Sequence, residues 1–181
     1  MPFAIFVAPF WTESVIRMLE ATAAVPTVRL AVISQEPLEG LPPDLVGRLA
    51  GHWRVDNSLD TAQLIWAARS LSERLGPVDR LFGAAEHLQV QLAETRAALD
   101  IPGLSVEAAW NFRDKARMKT LLREAGLPCA RHCLATSEAD VWEFIARSGY
   151  PVVVKPPAGA GAQGTARVDR EELLRAALEH L

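Results

Sequence analysis

Two apolar runs near the N-terminus limit the fold more than any other feature of this sequence. Residues 3–9 (FAIFVAP) and 28–34 (VRLAVIS) are largely hydrophobic, which is typical of strands buried on both faces of a parallel sheet. Thr12 can cap a helix between them, and this segment carries an apolar stripe at helical spacing: Val15, Ile16, Leu19 and Ala23. The stretch therefore predicts a β-α-β unit.

The same alternation continues to about residue 104. A weak strand is predicted at 53–55, and a helix starts at Ser58 or Asp60 and stops at Gly76-Pro77. A fourth strand (78–86) and a helix to about Leu99 follow. We therefore expect an α/β fold with a mostly parallel, Rossmann-like sheet over residues 1–104. No glycine fingerprint follows the first strand, so this domain is not an obvious dinucleotide site.

Composition excludes several classes of function. The chain has 181 residues, half of them hydrophobic, and a formal charge of −3 without a polybasic block, so we expect neither nucleic acid nor an anionic membrane as a partner. The N-terminal apolar run is too short to span a bilayer and lacks the features of a signal peptide, which favours a cytoplasmic protein. Cys129, His132 and Cys133 form an incomplete zinc set, so we expect buried thiols and no metal ligands.

The pattern changes after Gly103. Residues 110–128 predict one amphipathic helix, with Lys115 and Lys119 on a shared face. A short strand is expected near 133–136, then a helix capped by Ser137 with Asp140 and closed by Gly149. A last helix is predicted to start at Asp169 with Glu172 three residues on.

A glycine-rich loop precedes that last helix. Gly159, Gly161 and Gly164 spell G-x-G-x-x-G, but the flanking segments read strand, lysine, loop, strand, and no helix follows directly as a dinucleotide fingerprint requires. A Walker A loop needs Lys directly after the last glycine, where Thr165 stands. The remaining interpretation is a hairpin whose tip can fold over phosphates, with Lys155 at the end of its first strand. Taken alone, the glycine pattern favours a flexible hairpin with a solvated lysine.

Two segments together resemble the ATP-grasp superfamily: RDKARMKTLLREAGLPCARH (113–132) and GYPVVVKPPAGAGAQGTARV (149–168). The resemblance is to the branch with biotin carboxylase, the carbamoyl-phosphate synthase large subunit and the L-amino-acid ligases. It implies a pre-ATP-grasp domain over 1–104. A linker helix and the first ATP-grasp subdomain would follow over 105–181, truncated before the second subdomain.

Carried over by position, the resemblance implies that Lys115 and Lys155 reach the phosphates of ATP. Gly159, Gly161 and Gly164 would form the lid over these phosphates, whereas Arg117 and Lys119 are expected to stay solvated. The family's Mg²⁺ ligands and catalytic groups lie downstream of the loop. We therefore expect an N-terminal fragment that uses ATP and Mg²⁺ but contains no catalytic residue and no metal ligand.

The implied activity is that of an ATP-dependent ligase, which converts a small carboxylate into an acyl-phosphate for attack by an amine or another nucleophile. Glu86, after the fourth strand, is a substrate-side candidate, with a surface acid as the alternative. A homodimer is one assembly open to such a protein. Three alternatives remain: a non-catalytic nucleotide-sensing or partner-binding module, an enzyme like biotin carboxylase or carbamoyl-phosphate synthase, and a dinucleotide-binding protein.

Overall fold

The computed structural model describes residues 1–178 and divides the chain into two compact units, the first of which is Met1–Ala109. Its strands are β1 (Phe3–Ala8), β2 (Arg29–Ser34), β3 (Gly51–Arg54) and β4 (Arg80–Phe82). Its helices are α1 (Glu13–Ala23), α2 (Pro43–Val46), α3 (Thr61–Leu75), α4 (Gln89–Ala98) and the start of α5 (Val106–Arg113). Two short 3₁₀ helices cover Leu38–Gly40 and Glu86–Leu88.

The four strands form one parallel sheet in the order β3-β2-β1-β4. Every residue of β1 is buried, because α1 and α2 cover one face of the sheet and α3 and α4 cover the other. The core residues alternate between these faces: Ile5 and Val7 pack with Leu64 and Leu71, whereas Phe6 packs with Leu19. The predicted α/β fold with a parallel, Rossmann-like sheet is confirmed.

Two predicted helix caps in this unit are present, and one strand is shorter than predicted. The Thr12 hydroxyl accepts from the N–H of Val15, and the Asp60 carboxylate accepts from the first turn of α3. The strand predicted over 78–86 ends at Phe82. At Gly83 the backbone approaches Val7 so closely that a Cβ would lie 2.6 Å from the Val7 carbonyl oxygen, and the Gln89 amide binds the Gly83 carbonyl.

The second unit begins at Trp110. It contains α6 (Lys115–Glu124), α7 (Glu138–Ser148), the strands β5 (Val152–Val154) and β6 (Ala166–Val168), and α8 (Glu171–Leu178). The two strands form an antiparallel hairpin in which Val153 faces Arg167 in the register. The predicted sequence of strand, lysine, glycine-rich loop and strand is therefore correct. Ser137 and Asp140 form the predicted capping box at the start of α7.

Three predictions in this unit are wrong in detail. The helix predicted over 110–128 is broken at Asp114, because its carboxylate accepts from the N–H groups of Ala116 and Arg117 and so starts a new helix. No strand forms at 133–136, where the backbone runs into the capping box and Asp140 accepts from the N–H of Thr136. The last helix begins at Glu171, whereas the Asp169 carboxylate pairs with Arg167.

Candidate functional site

The first turn of α6 fixes the position of Lys115. Asp114 has an extended backbone (φ −94°, ψ 113°), and its Oδ1 accepts from Ala116 N at 2.8 Å and from Arg117 N at 3.0 Å. An aspartate in this position stabilises a helix start by satisfying N–H groups that have no partner within the helix. Lys115 is therefore the first helical residue, held at a well-defined point next to the break between α5 and α6.

Lys115 contacts the glycine-rich loop, here residues 156–165, at two points. Its backbone N–H donates to the Pro157 carbonyl at 3.0 Å, and its ammonium Nζ donates to the Gly159 carbonyl at 2.6 Å. Arg113, the last residue of α5, donates from Nη1 to the same Gly159 oxygen at 3.2 Å. Two cationic side chains thus converge on one neutral oxygen of the loop.

Lys155 lies directly after β5, at the point where the hairpin leaves regular pairing. Its side chain is exposed and forms no hydrogen bond or ion pair with any other residue between 1 and 178. An ammonium group at the end of an apolar strand is available to an anion from solution.

The loop itself contains three turns, the first of which is closed by Gly159 N donating to the Pro156 carbonyl at 3.4 Å. Gln163 N donates to the Ala160 carbonyl and Thr165 N donates to the Ala162 carbonyl, both at 3.2 Å. Gly161 and Gly164 have φ of +61° and +65°, values that glycine adopts without the steric penalty of a side chain. Ala162 also has a positive φ, of +59°, which the sequence did not indicate.

Gly159 differs from the other two glycines. Its φ is not positive, and a Cβ there would lie 3.4 Å from its nearest neighbours, an ordinary contact distance. Its contribution to the site is its carbonyl oxygen, the acceptor of Lys115 and Arg113.

A cavity of about 1420 Å³ opens between α6, α7, α8 and the β5-β6 hairpin. Its apolar wall includes Val141, Phe144, Ile145, Val152, Val154 and Leu174. Its basic lining residues are Lys115, Lys119, Arg131, Lys155 and Arg175, with Glu138 as the acidic one. This combination of an apolar wall and several cations suits an anionic ligand that also has an apolar part.

The sequence contains three lysines, and all three line this cavity. Lys119 lies one turn after Lys115, and its Nζ donates to the Ala130 carbonyl at 3.3 Å. His132, which also lines the cavity, accepts at Nδ1 a hydrogen bond from Arg123 Nη2 at 2.7 Å. Burial lowers the pKa of His132, and the nearby charges of Arg123 and Lys119 lower it further, so its neutral form is favoured.

The structure brings together most of the residues that the sequence singled out. Lys115 and Lys155 line one cavity, and Lys115 contacts Gly159 directly. Glu86 belongs to the first unit, where it is exposed at the start of the 3₁₀ helix that follows β4. Arg113 was not predicted, because the assumed continuous helix concealed the break that directs it to the loop.

The cysteine prediction needs a correction. Cys133 is exposed, in a largely exposed segment, and Cys129 is half-buried, with its Sγ 3.6 Å from the Lys119 carbonyl. Within residues 1–178, no group of three or more histidine, cysteine or acidic side chains is arranged to hold a metal ion.

Comparison with known proteins gives a family match within the second unit. Residues 114–180 match the family described as carbamoyl-phosphate synthase L chain, ATP binding domain. The carbamoyl phosphate synthase large chain of Rubrobacter xylanophilus is 40% identical over 75 residues, which are 41% of this chain and 7% of that protein.

Solved structures share the fold. The L-amino acid ligase from Bacillus licheniformis superposes with a TM-score of 0.76 at 19% identity, over 99% of this chain and 42% of that one. The biotin carboxylase domain of Hydrogenobacter thermophilus 2-oxoglutarate carboxylase, solved with MgADP and bicarbonate, gives a TM-score of 0.75 at 20% identity. The superposition covers 98% of this chain and 40% of that one.

The resemblance to the ATP-grasp superfamily is therefore confirmed, and the chain corresponds to the N-terminal portion of these proteins. It spans less than half the length of the proteins with which it was compared. None of the helices between residues 1 and 178 has the length and apolar character needed to cross a membrane.

Proposed function

We propose that this chain is the N-terminal part of an ATP-dependent ligase, in which its second unit binds the phosphates of ATP. The protein would convert a carboxylate into an acyl-phosphate that an amine or another nucleophile attacks, with release of ADP and phosphate. The observation that carries the proposal is the pair of lysines, Lys115 and Lys155, in the wall of one cavity beside the glycine-rich loop.

The two lysines have complementary positions for this role. Lys115 is fixed at the start of α6, whereas Lys155 extends from the end of β5 without a partner among residues 1–178. Fixed positive charge stabilises the negative charge that develops as a phosphoryl group is transferred. The apolar wall formed by β5, α7 and α8 offers a surface for the nucleotide base.

The glycine-rich loop is proposed as the lid over these phosphates. Its N–H groups at Gly161 and Ala162 form no hydrogen bond with residues 1–178 and can donate to phosphate oxygens. A lid of this kind excludes water from the reacting phosphate. Mg²⁺ would accompany the nucleotide, and its protein ligands are assigned to parts of the protein outside this chain.

Titration calorimetry of the complete protein with ATP and Mg²⁺ tests the phosphate assignment. We expect Lys115→Ala and Lys155→Ala each to weaken ATP binding about tenfold or more, since a charge-assisted hydrogen bond contributes roughly 1.5–3 kcal/mol. Lys119→Ala is the matched control, because it removes the remaining lysine of the same cavity, whose Nζ is bound to Ala130. Equal losses in all three variants would contradict the specific roles.

The isolated chain of 181 residues provides a further test. Since the resemblance assigns the other half of the ATP site to a second subdomain, we expect weak or undetectable ATP binding by the isolated chain. Micromolar affinity of the isolated chain for ATP would show that these residues form a complete site. If the complete protein binds ATP but releases no phosphate from it, a non-catalytic nucleotide sensor is favoured.

A further inference from the structure

The contact between Arg113, Lys115 and Gly159 carries a second inference, which rests on the proposed function. We propose that the Gly159 carbonyl occupies the position that a phosphate oxygen of the nucleotide takes, and that Arg113 binds this oxygen together with Lys115. Arg113 is then a nucleotide-binding residue, and the glycine-rich loop competes with the nucleotide for it.

The geometry of the shared acceptor supports this exchange. Lys115 Nζ lies 2.6 Å and Arg113 Nη1 lies 3.2 Å from the same Gly159 oxygen. A carbonyl oxygen is neutral, so it neutralises neither cation. An ionised phosphate oxygen forms stronger hydrogen bonds with the same cationic donors, because it adds an attraction between opposite charges that a neutral carbonyl lacks. The anion therefore has an advantage over the carbonyl at this point.

The break between α5 and α6 holds both donors in place. Asp114 lies between Arg113 and Lys115 in sequence, and its carboxylate is occupied by the first N–H groups of α6. The two flanking cations reach the loop on either side of this cap. Because both are anchored at helix ends, an anion that replaces the Gly159 oxygen meets donors that are already positioned, which reduces the entropy lost on binding.

The loop is attached weakly enough to be displaced. Its hydrogen bonds with this helix junction include the two side-chain bonds to Gly159 and the bond from Lys115 N to the Pro157 carbonyl at 3.0 Å. Residues 161–165 are exposed, so little apolar burial opposes their movement. Nucleotide binding would exchange these contacts for phosphate contacts and release the loop to close over the ligand.

The test compares binding of ATP, ADP and adenosine to the complete protein and to three variants. Arg113→Gln should weaken ATP and ADP binding about tenfold and leave adenosine binding unchanged, because only the phosphates meet Arg113. Arg113→Lys should recover part of the loss. Arg117→Gln is the control, since this neighbouring arginine donates from Nε to the Asn111 side chain; its affinities should equal those of the wild type.

Two results would overturn the inference. If Arg113→Gln binds ATP as tightly as the wild type while Lys155→Ala weakens it, the phosphate site stands without Arg113. If Arg113→Gln weakens adenosine as much as ATP, Arg113 acts through the structure of the helix junction. A wild-type protein that binds none of the three ligands would instead contradict the proposed function itself.

Discussion

Gly164 turns against the ring of Pro156, so that a Cβ at Gly164 would lie 3.0 Å from the Pro156 Cγ. With a φ of +65°, Gly164 is both conformationally and sterically restricted. Pro156 begins the loop and Gly164 lies near its end, so this contact closes the base of the glycine-rich loop. The three glycines of the motif therefore make unequal contributions.

Alanine substitutions should rank these glycines. Gly164→Ala places a side chain on a left-handed backbone, which costs about 1–2 kcal/mol, and it also adds a clash with Pro156. Gly161→Ala adds only the first penalty, because no atom lies within 4 Å of its Cβ position. Gly159→Ala meets neither. We expect the loss of ATP affinity in the complete protein to be largest for Gly164→Ala and smaller for Gly161→Ala. The affinity of Gly159→Ala should be near that of the wild type. The largest loss at Gly159 would refute this ranking.

Substitution of Asp114 tests the helix cap that positions Lys115. Asp114→Ala removes the acceptor of two N–H groups and should destabilise the start of α6 by about 1 kcal/mol. Asp114→Asn keeps a good capping group. Amide hydrogen exchange at Ala116 and Arg117 should therefore increase in the alanine variant and remain near wild type in the asparagine variant. Equal exchange in the two variants would argue against the cap.

Arg96 should contribute strongly to the stability of the first unit. It is 7% exposed, its Nη1 donates to the Leu81 carbonyl at 3.0 Å and its Nη2 to the Leu104 carbonyl at 3.1 Å, which ties residues 101–104 to β4. Burial lowers the pKa of this guanidinium. Arg96→Ala leaves two carbonyls without a donor and a void, so we expect a loss of about 2–5 kcal/mol in the free energy of unfolding.

Arg96→Lys is the informative control, because it keeps the charge but cannot reach both carbonyls with one planar group. In urea denaturation, the free energy of unfolding of Arg96→Lys should lie between those of the wild type and Arg96→Ala. A change below about 0.5 kcal/mol for Arg96→Ala, the range of ordinary surface substitutions, would contradict the role.

His52 should make the first unit sensitive to pH. Its Nε2 lies 2.7 Å from the buried Ser34 Oγ, which itself donates to the Glu36 carbonyl. Burial lowers the pKa of His52 below 6.5, against an opposing effect of Glu39. The unfolded chain therefore binds the His52 proton more readily than the folded chain. The contribution of His52 to the free energy of unfolding is complete above pH 6.5 and is lost as the pH falls below it.

His52→Gln removes the titration but keeps an N–H donor for Ser34. Between pH 7 and pH 5, the unfolding free energy of the wild type should fall more than that of the variant in parallel urea titrations. Identical pH profiles would contradict the lowered pKa.

The sequence predicted the first unit well, because its information is local. The apolar runs at 3–9 and 28–34 and the caps at Thr12 and Asp60 each determine a nearby element. The shortened β4 was not predictable, since it depends on the approach of Gly83 to Val7, a contact between residues distant in sequence.

The site was predicted in part. Lys115, Lys155 and the glycines were identified by their motifs, and their roles in binding remain predictions. Arg113 was missed, because its contact with Gly159 depends on the helix break at Asp114. That break had a signal in the sequence, an aspartate before a new helical stripe, which the apparent continuity of residues 110–128 outweighed.

The central claim is that Lys155 binds the nucleotide during an ATP-dependent reaction. ATP-dependent release of phosphate by the complete protein, measured for the wild type, Lys155→Ala and Lys119→Ala, tests it most directly. We expect Lys155→Ala to abolish phosphate release with circular dichroism and thermal unfolding unchanged, and Lys119→Ala to retain it. Unchanged turnover in a correctly folded Lys155→Ala protein would contradict the account.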